Sequence, residues 1–584
     1  MKNNRVTRHK SPFDFAQGKQ VTSKLKRGAC LFVIATLCLL FIPQLAQAAT
    51  TNQISQFGIT WIFDKAYEYG QFVNGDYWVV GPIKVITINP ASVTVDSGGA
   101  WTKNGSMKNP VPTIYQGYDS RTSSLAAGFY VASLNVALSL PLTLVAGDTL
   151  VSTISVATPD NWPQLKTAAV LTVLGSAPAA GSFRPSICGS GKTVQYNESD
   201  LDYSFLAQLP IVSGAPSLST AEGWFEKPWI ETQYGWWAGR TFPADNMPSY
   251  GRDMSHLTSQ AALMLNLNYT NAQKKTLFIR YVQLGIDLYG IVRSGVKDVW
   301  KADGGTQVGR KLPILVASRA LNDSAMQAIF AKTGDYLNSG VTVDGYPNPY
   351  GPGNPQPDYL YFQEDDQTYY VTKFHVDISN NNAGGNWPLW NPDNPPPPTA
   401  TPYTMDQVGL PEWSIRQEEK PWISINGKEW NTAAYRDVGG CTNMGIALAT
   451  EIMGLKNLWN HKVFFDYADR YAYMIRVGGG WESWRISTNG PGNFVLNMWD
   501  AYRANYGPIW PATATVLYGD VDGNGEVSAY DAALTAQAAV GLITLTAEQT
   551  QAADVSGEGE VSAYDAALIA QKAVGLISKF PIEG

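Results

Sequence analysis

The chain has 584 residues, which is too long for one ordinary hydrophobic core and suggests roughly three or four folded units. Its formal charge is −7, and removal of residues 1–48, which hold eight Lys/Arg and one acid, leaves 34 basic and 48 acidic residues and a charge of −14. A surface of this charge repels nucleic acid and anionic membranes, so we expect neither as a partner.

Residues 1–48 have the pattern of a signal peptide. A basic segment ends at Arg27, an apolar run occupies 29–43, and Ala46-Gln47-Ala48 offers a small-residue cleavage site. The run is too short to span a bilayer comfortably, and no later stretch approaches the roughly 20 apolar residues that a transmembrane helix needs. The sequence therefore predicts a secreted, extracellular protein without a membrane span in its mature form. An uncleaved anchor is the alternative, which the adjacent cleavage site disfavours.

Two cysteines, Cys188 and Cys441, follow the signal peptide. They allow one disulfide in an oxidising compartment, and two buried thiols explain them equally well.

The first domain is predicted at residues 49–180. Between Gly58 and Leu174 the sequence consists of short alternating or β-branched runs, such as 59–63, 84–88 and 149–154, separated by Gly, Pro, Asn and Asp. Several such strands at this spacing are typical of a β-sandwich.

The second domain is predicted at residues 181–512, where the apolar period changes from two to near 3.6. The segments with helical periodicity are 253–267, 273–293, 310–321, 324–333, 433–453, 458–476 and 494–506. A loop-rich stretch at 336–430 contains a proline run and many aromatic residues. We interpret it as the wall of a functional site, and a Pro-rich spacer is the alternative.

The C-terminal segment, residues 515–584, contains a repeat. Residues 525–543 recur at 559–577 with two differences, at an offset of 34. Oxygen-bearing residues alternate through each copy; the predicted metal ligands are Asp520, Asp522, Asn524, Glu526 and Asp531 in the first loop, and Asp554, Ser556, Glu558, Glu560 and Asp565 in the second. Ca²⁺ takes six to eight hard oxygen ligands, and glycine at loop position 6 permits the turn that converges them. Glu526 and Glu560 are predicted to contribute backbone carbonyls, and Ser556 is a neutral ligand, so we expect the second site to be weaker.

The tandem repeat resembles a type I dockerin, because an Asp closes each loop and a helix follows it. The resemblance implies an all-α module with two EF-hand-like loops, Ca²⁺ as the cofactor and a cohesin domain of a scaffold protein as the partner. The family's recognition positions correspond to Ala529-Tyr530 and Ala563-Tyr564, with Ala536-Gln537 and Ala570-Gln571 further along the helices. Identical residues in both copies imply binding in two orientations, although the family's better-known Ser/Thr pair is absent. A calcium-stabilised cap without a partner is the alternative.

Dockerins usually accompany enzymes or binding modules that act on polysaccharides, and aromatic residues are abundant, with 19 Trp and 30 Tyr. Flat aromatic rings suit the apolar faces of sugars, while a large aromatic core is the alternative.

The first candidate catalytic group is Tyr250, Arg252 and His256, with Asp253 between them, at the start of a predicted helix. In a polysaccharide lyase, an arginine neutralises a uronate carboxylate while tyrosine or histidine transfers the proton. The alternative is that Asp253 caps the helix and His256 packs in the core.

The second candidate group is Glu364 and Asp366, joined by Glu412. An acid among aromatic side chains has a raised pKa and suits a general acid, while a more solvated neighbour stays ionised, which is the pair that a glycosidase needs. An acidic surface turn is the alternative. The nearby segment 304–310 is glycine-rich but lacks the GK[ST] ending of a phosphate loop, so nucleotide binding is not predicted.

The central domain resembles the α/α toroids of several polysaccharide lyases and glycoside hydrolases in outline and aromatic content. We therefore expect a secreted polysaccharide-degrading enzyme, an O-glycosyl hydrolase in preference to a polysaccharide lyase, attached to a scaffold by its dockerin. A non-catalytic carbohydrate-binding or structural component is the alternative.

Overall fold

The computed structural model describes residues 49–96, 100–121, 129–157, 162–190, 192–301, 305–334, 342–343, 346–347, 360–371, 405–413, 423–425, 428–430, 434–477, 492–507, 517–523 and 526–583.

The N-terminal region is rich in β-strands. They are β1 (Thr50–Gln56), β2 (Ile59–Gln71), β3 (Tyr77–Val80), β4 (Ile83–Asn89), β5 (Val93–Val95), β6 (Trp101–Lys103), β7 (Ser106–Lys108), β8 (Leu142–Leu144), β9 (Thr149–Ser155) and β10 (Leu165–Leu174). The main sheet has the order β7-β9-β10-β3-β2-β4-β8, with β1 also paired to β2, and β5 and β6 form a separate hairpin. Only the β10–β3 pair is parallel among the pairs described in this sheet.

Strand β2 connects the two halves of this sheet. Its first part pairs with β1 and β4, and its last part pairs with β3. Trp61 and Val85 from one half share a hydrophobic core with Leu150 and Leu171 from the other. The predicted sheet-rich character of the N-terminal region is confirmed, and its bounds as a separate domain and its finer description as a two-sheet sandwich stay predictions.

Strand β10 is buried on both faces, which fixes the sheet to the helical region. Leu171 belongs to the core inside the sheet domain. Val170, on the opposite face, packs in a second cluster with Ile187 and Ile230. Because side chains alternate along a strand, such a continuous apolar run indicates that both faces are covered.

The central region is mainly helical, as predicted. Its helices are α1 (Leu218–Trp224), α2 (Gly251–Leu265), α3 (Asn271–Arg293), α4 (Lys311–Ala320), α5 (Ser324–Ala328), α6 (Gln363–Gln367), α7 (Ala434–Ile452), α8 (Lys456–Trp459), α9 (Lys462–Val477) and α10 (Gly492–Tyr502). Helix α2 packs on α7, α3 on α4, and α9 on α7. The α/α toroid stays a prediction.

The stretch predicted to be loop-rich contains α6 and short paired strands where the structure describes it. These strands, together with one that immediately precedes the stretch, are β11 (Thr333–Gly334), β12 (Thr342–Val343), β13 (Tyr346–Pro347), β14 (Leu360–Tyr361), β15 (Thr368–Tyr370), β16 (Pro411–Trp413), β17 (Ile423–Ile425) and β18 (Lys428–Trp430).

The C-terminal region contains α11 (Ala529–Ala539), α12 (Ala547–Ala553) and α13 (Ala563–Ala573). Ser528 and Ser562 cap the repeated helices α11 and α13, each in a capping box closed by an aspartate three residues later. The two helices pack against each other over a small core that includes Val521, Val555 and Phe580.

A buried ionic group joins the sheet region to helix α3. The Arg184 guanidinium donates from Nε to Asp76 at 2.6 Å and from Nη2 to Asp287 at 2.6 Å. All three side chains are almost completely buried. An unpaired charge in the protein interior is costly. The three residues therefore specify one arrangement of helix α3 relative to the loop between β2 and β3.

Two other sequence-based expectations concern the described residues. No disulfide joins Cys188 to Cys441, and both thiols are buried. Within the described parts of the chain, no helix has the length and apolar character needed to cross a membrane.

We expect Arg184→Met to lower the free energy of unfolding by about 3–5 kcal/mol, because it leaves two buried carboxylates without their cation. Calorimetric unfolding of the full chain measures this loss. The control is Arg319→Met, whose ion pair with Asp202 is about one-third exposed, so its loss should cost about 0–1 kcal/mol. Equal losses in the two variants would contradict the structural role assigned to Arg184.

Candidate functional site

The first repeat loop gathers three carboxylates. Oxygen atoms of Asp520, Asp522 and Asp531 all lie within 4.8 Å of one another. Asn524 lies outside the described residues, and Glu526 is exposed, which suits its predicted backbone contribution. Hard, negatively charged oxygen atoms at this spacing fit Ca²⁺ better than a softer metal ion.

Backbone hydrogen bonds orient the carboxylate that closes the first loop. Asp531 Oδ1 accepts from the backbone N–H groups of Val521 and Asp522 at 2.8 and 2.9 Å. Its Oδ2 accepts from the N–H and the hydroxyl of Ser528 at 2.9 and 2.6 Å. The loop and the start of α11 therefore hold the same side chain, so a cation bound to this carboxylate would also stabilise the start of the helix.

The second loop has the same closing geometry but a different interior. Asp565 accepts from the backbone N–H groups of Ser556 and Ser562, each at 2.8 Å. Burial opposes ionisation of Asp565, but hydrogen bonds from these serines outweigh it and lower its pKa. Asp554 accepts from backbone N–H groups within the loop, such as that of Gly559 at 2.9 Å. Glu558 and Glu560 are exposed, and among the described residues a group of three converging acids occurs only in the first loop.

The first candidate catalytic group lies at the start of α2. Tyr250 is the N-cap residue of this helix, and the Arg252 guanidinium carbon is 5.7 Å from the centre of the Tyr250 ring. Arg252 Nε also donates to Asp253 at 2.7 Å, so Asp253 is an ion-pair partner here and its side chain does not cap the helix. The structure therefore brings Tyr250 and Arg252 together at one helix end.

His256 lies one turn further along α2. Burial lowers its pKa to about 4, the Arg252 charge acts in the same direction, and the Asp253 charge opposes it. Its Nε2 is buried and has no hydrogen-bond partner within the described part of the chain. At neutral pH the imidazole is therefore neutral. It can accept a proton as a general base, but it does not carry the second ring proton that it would need to act as a general acid.

The segment 305–310 connects the two candidate groups. Arg252 donates its backbone N–H to Gly305 O at 3.1 Å, and Gly309 donates its backbone N–H to Glu364 Oε1 at 2.7 Å. A Cβ at Gly305 would lie 2.5 Å from the Tyr250 hydroxyl, and Gly309 has φ +97°. The glycines allow this backbone to contact α2 closely, a role that the sequence motif alone did not reveal.

Glu364 is completely buried in α6. Burial raises its pKa, the charge of Asp365 adds to this effect, and the Gly309 N–H and Arg310 charge oppose it. Its Oε2 has no hydrogen-bond partner among the described residues. Asp365 is a structural residue, because it forms a fully buried ion pair with Lys311 and accepts from Trp459 Nε1 at 2.8 Å.

The other two predicted carboxylates, Asp366 and Glu412, have side chains outside the described part of the structure. The backbone of Glu412 lies opposite Tyr369 in the β15–β16 pair, which places it close in the fold to α6. The separation of the carboxyl groups, which would distinguish inverting from retaining hydrolysis, is not described.

Residues 518–572 match the family model of the dockerin type I domain. The C-terminal repeat is therefore a type I dockerin, a domain that binds calcium and a cohesin domain. Searches of curated proteins and of solved structures find no match to this chain.

We expect Asp520→Ala to weaken calcium binding at the first loop by about 10- to 100-fold, the range that follows loss of even an outer-shell contact of a metal site. Ser556→Ala removes a neutral oxygen from the second loop and should have a smaller effect. Calorimetric calcium titration of both variants measures the difference. Equal losses would show that the converging acids of the first loop do not make it the stronger site.

Proposed function

We propose that this protein is a secreted polysaccharide-degrading enzyme that a calcium-dependent dockerin attaches to a cohesin-bearing scaffold. The dockerin match supports attachment to a scaffold. Secretion is supported by the signal-peptide pattern of residues 1–48. The calcium ligands would be those of the two loops. The first loop would form the stronger site, because the carboxylates of Asp520, Asp522 and Asp531 converge there.

We propose that the partner surface of the dockerin consists of exposed apolar side chains that occur in both copies of the repeat. Tyr530 and Tyr564 are 56 % and 54 % exposed, and Leu542 and Leu576 are both 74 % exposed. Large apolar side chains exposed to this extent in a small domain mark an interaction surface. Since each copy exposes the same types of residue to the same extent, either copy can serve as the main contact.

The described geometry favours a lyase as the catalytic activity, and the pairing of Arg252 with Tyr250 beside the neutral His256 carries this proposal. In β-elimination, a side-chain movement that exposes the buried His256 Nε2 would let it accept the proton at C5 of a uronate, the C4–O bond would break, and the leaving oxygen would take the Tyr250 proton. A C4–C5 double bond forms and no water is consumed. Arg252 would stabilise the carboxylate on which negative charge develops.

Hydrolysis is the second candidate, and the raised pKa of Glu364 favours it. A raised pKa lets a carboxylic acid keep its proton to a higher pH, which suits protonation of a glycosidic oxygen. However, Glu364 has no exposed surface and one of its oxygen atoms is bonded to Gly309, so substrate access would require this turn to open.

Tyr530→Asp and Tyr564→Asp should each leave cohesin binding largely intact, because the other copy retains its surface, while the double variant should lose binding. Surface plasmon resonance with a panel of type I cohesin domains measures this in the presence of calcium. Circular dichroism of the double variant verifies that the domain is folded. Full binding by the folded double variant would place the partner surface elsewhere.

His256→Ala or Tyr250→Phe should lower the rate of uronate cleavage by about 100- to 10,000-fold, the usual contribution of a general acid or base. The unsaturated product absorbs in the ultraviolet, which gives a direct assay. Glu364→Gln is the matched variant, and it should retain this signal if the enzyme is a lyase.

The enzyme would be a hydrolase and not a lyase if reducing ends appeared without the chromophore and Glu364→Gln lost activity. Binding to a glycan with neither product, across a broad panel of neutral and acidic polysaccharides, would favour a non-catalytic carbohydrate-binding component.

A further inference from the structure

An exposed indole lies where the sheet region meets the helical region. Trp162 comes just before β10 and is 40 % exposed. The guanidinium carbon of Arg240, from the helical region, is 4.1 Å from the centre of the Trp162 ring. Arg240 therefore lies over one face of the indole, and part of the Trp162 side chain remains exposed to solvent.

The segment that carries Trp162 is held firmly by buried polar contacts. The Gln164 backbone N–H donates to Arg240 O at 2.6 Å, and the Arg121 guanidinium donates to Gln164 O at 2.5 Å. The Gln164 side chain donates to Arg121 O at 2.8 Å. These bonds come from both sides of the junction, so the indole is presented by a preorganised backbone, which lowers the entropic cost of binding.

Arg240 has no carboxylate partner within the described residues. This distinguishes it from the well-buried arginines Arg121, Arg184, Arg310 and Arg503, which each form an ion pair. Its Nε is buried without a hydrogen-bond partner, and burial lowers its pKa. An uncompensated, partly buried guanidinium beside an exposed ring suits a ligand that carries a carboxylate.

A second stacked pair, Trp237 with Phe129, lies close to the Arg240–Trp162 pair. The short 3₁₀ helix Trp236–Thr241 carries both Trp237 and Arg240, and residues three apart on a 3₁₀ helix are eclipsed, about 6 Å apart along its axis. Trp237 stacks on Phe129 with ring centres 4.4 Å apart. The two stacked pairs therefore form a row on one face of the helix.

This row lies next to the proposed catalytic group. A Cβ at Gly239 would lie 2.0 Å from the carbonyl oxygen of Ser249 and 3.3 Å from Nε1 of Trp162. Ser249 directly precedes Tyr250, so the backbone that carries Tyr250 is in contact with the backbone between Trp237 and Arg240.

We propose that Trp162 and Arg240 form a subsite for an acidic sugar unit of a uronate-containing glycan, adjoining Tyr250 and Arg252. The indole packs on the apolar face of the sugar ring, and Arg240 pairs with its carboxylate. This proposal rests on the proposed function for its substrate class, but it concerns binding and can be tested without turnover. It also assigns a role to the sheet region, which supplies one half of the subsite.

The test is isothermal titration calorimetry of the full chain with oligogalacturonates, oligomannuronates and glucuronoxylan fragments. Galactan, mannan and xylan oligomers are their neutral counterparts. We expect at least one acidic oligomer to bind more tightly than its neutral counterpart, with an affinity that falls as salt rises.

Trp162→Ala and Arg240→Gln should each weaken binding of that acidic oligomer by about tenfold or more. For Arg240→Gln, this is the usual effect of losing a hydrogen bond to a charged group. Trp162→Phe and Arg240→Lys should retain part of the affinity. Arg319→Gln, which changes an arginine outside the subsite, is the matched control and should bind like the wild type. Circular dichroism verifies folding of each variant.

Three results would each overturn the subsite. The first is that no acidic oligomer binds, and the second is that the neutral counterparts bind equally well. The third is that the folded Trp162→Ala and Arg240→Gln variants bind with wild-type affinity. If these variants weaken binding but no unsaturated product forms, the subsite is supported and the proposed lyase activity is wrong. Product formation with unchanged kcat/KM in both variants would retain the lyase and overturn the subsite.

Discussion

The arrangement of the sheet and helical regions depends on the buried guanidinium of Arg184. Its two aspartate partners come from different regions of the chain, and each would be an uncompensated buried charge without it. Apolar packing across β10 supplies the area of the junction, but apolar contacts tolerate small displacements, whereas a double ion pair does not. The aromatic and arginine side chains of the proposed subsite meet across this same junction, so their spacing follows from it.

A different electrostatic constraint acts in the dockerin. Residues 519–584 carry ten acids and two lysines, a charge of −8. The carboxylates of the first loop converge, which is unfavourable without a cation and favourable with one. Asp531 is both a candidate ligand and the residue that closes the capping box of α11, so the helix that carries the proposed partner surface is stabilised by the same side chain that would bind the metal ion.

Burial explains why acid–base residues could be proposed from sequence but not assigned. Asp365 and Glu364 are neighbours in an acidic turn, yet one is an ion-pair partner of Lys311 and the other retains an oxygen atom without a partner among the described residues. His256 has a lowered pKa because surrounding residues exclude water from it. Neither difference is visible in the local sequence, because each depends on side chains that come from other elements.

The sequence by itself determined the features that local pattern controls. The change of apolar period from two to 3.6 located the sheet region and the main helices, and the near-exact repeat identified the dockerin and predicted its loop ligands. Contacts between distant residues were decided only by the tertiary structure. Arg184 bonds to residues 108 and 103 positions away, and Gly309 bonds to Glu364 55 positions away. Periodicity and spacing carry no information about such pairs, since the chain between them can fold in many ways, and only the packed core selects one.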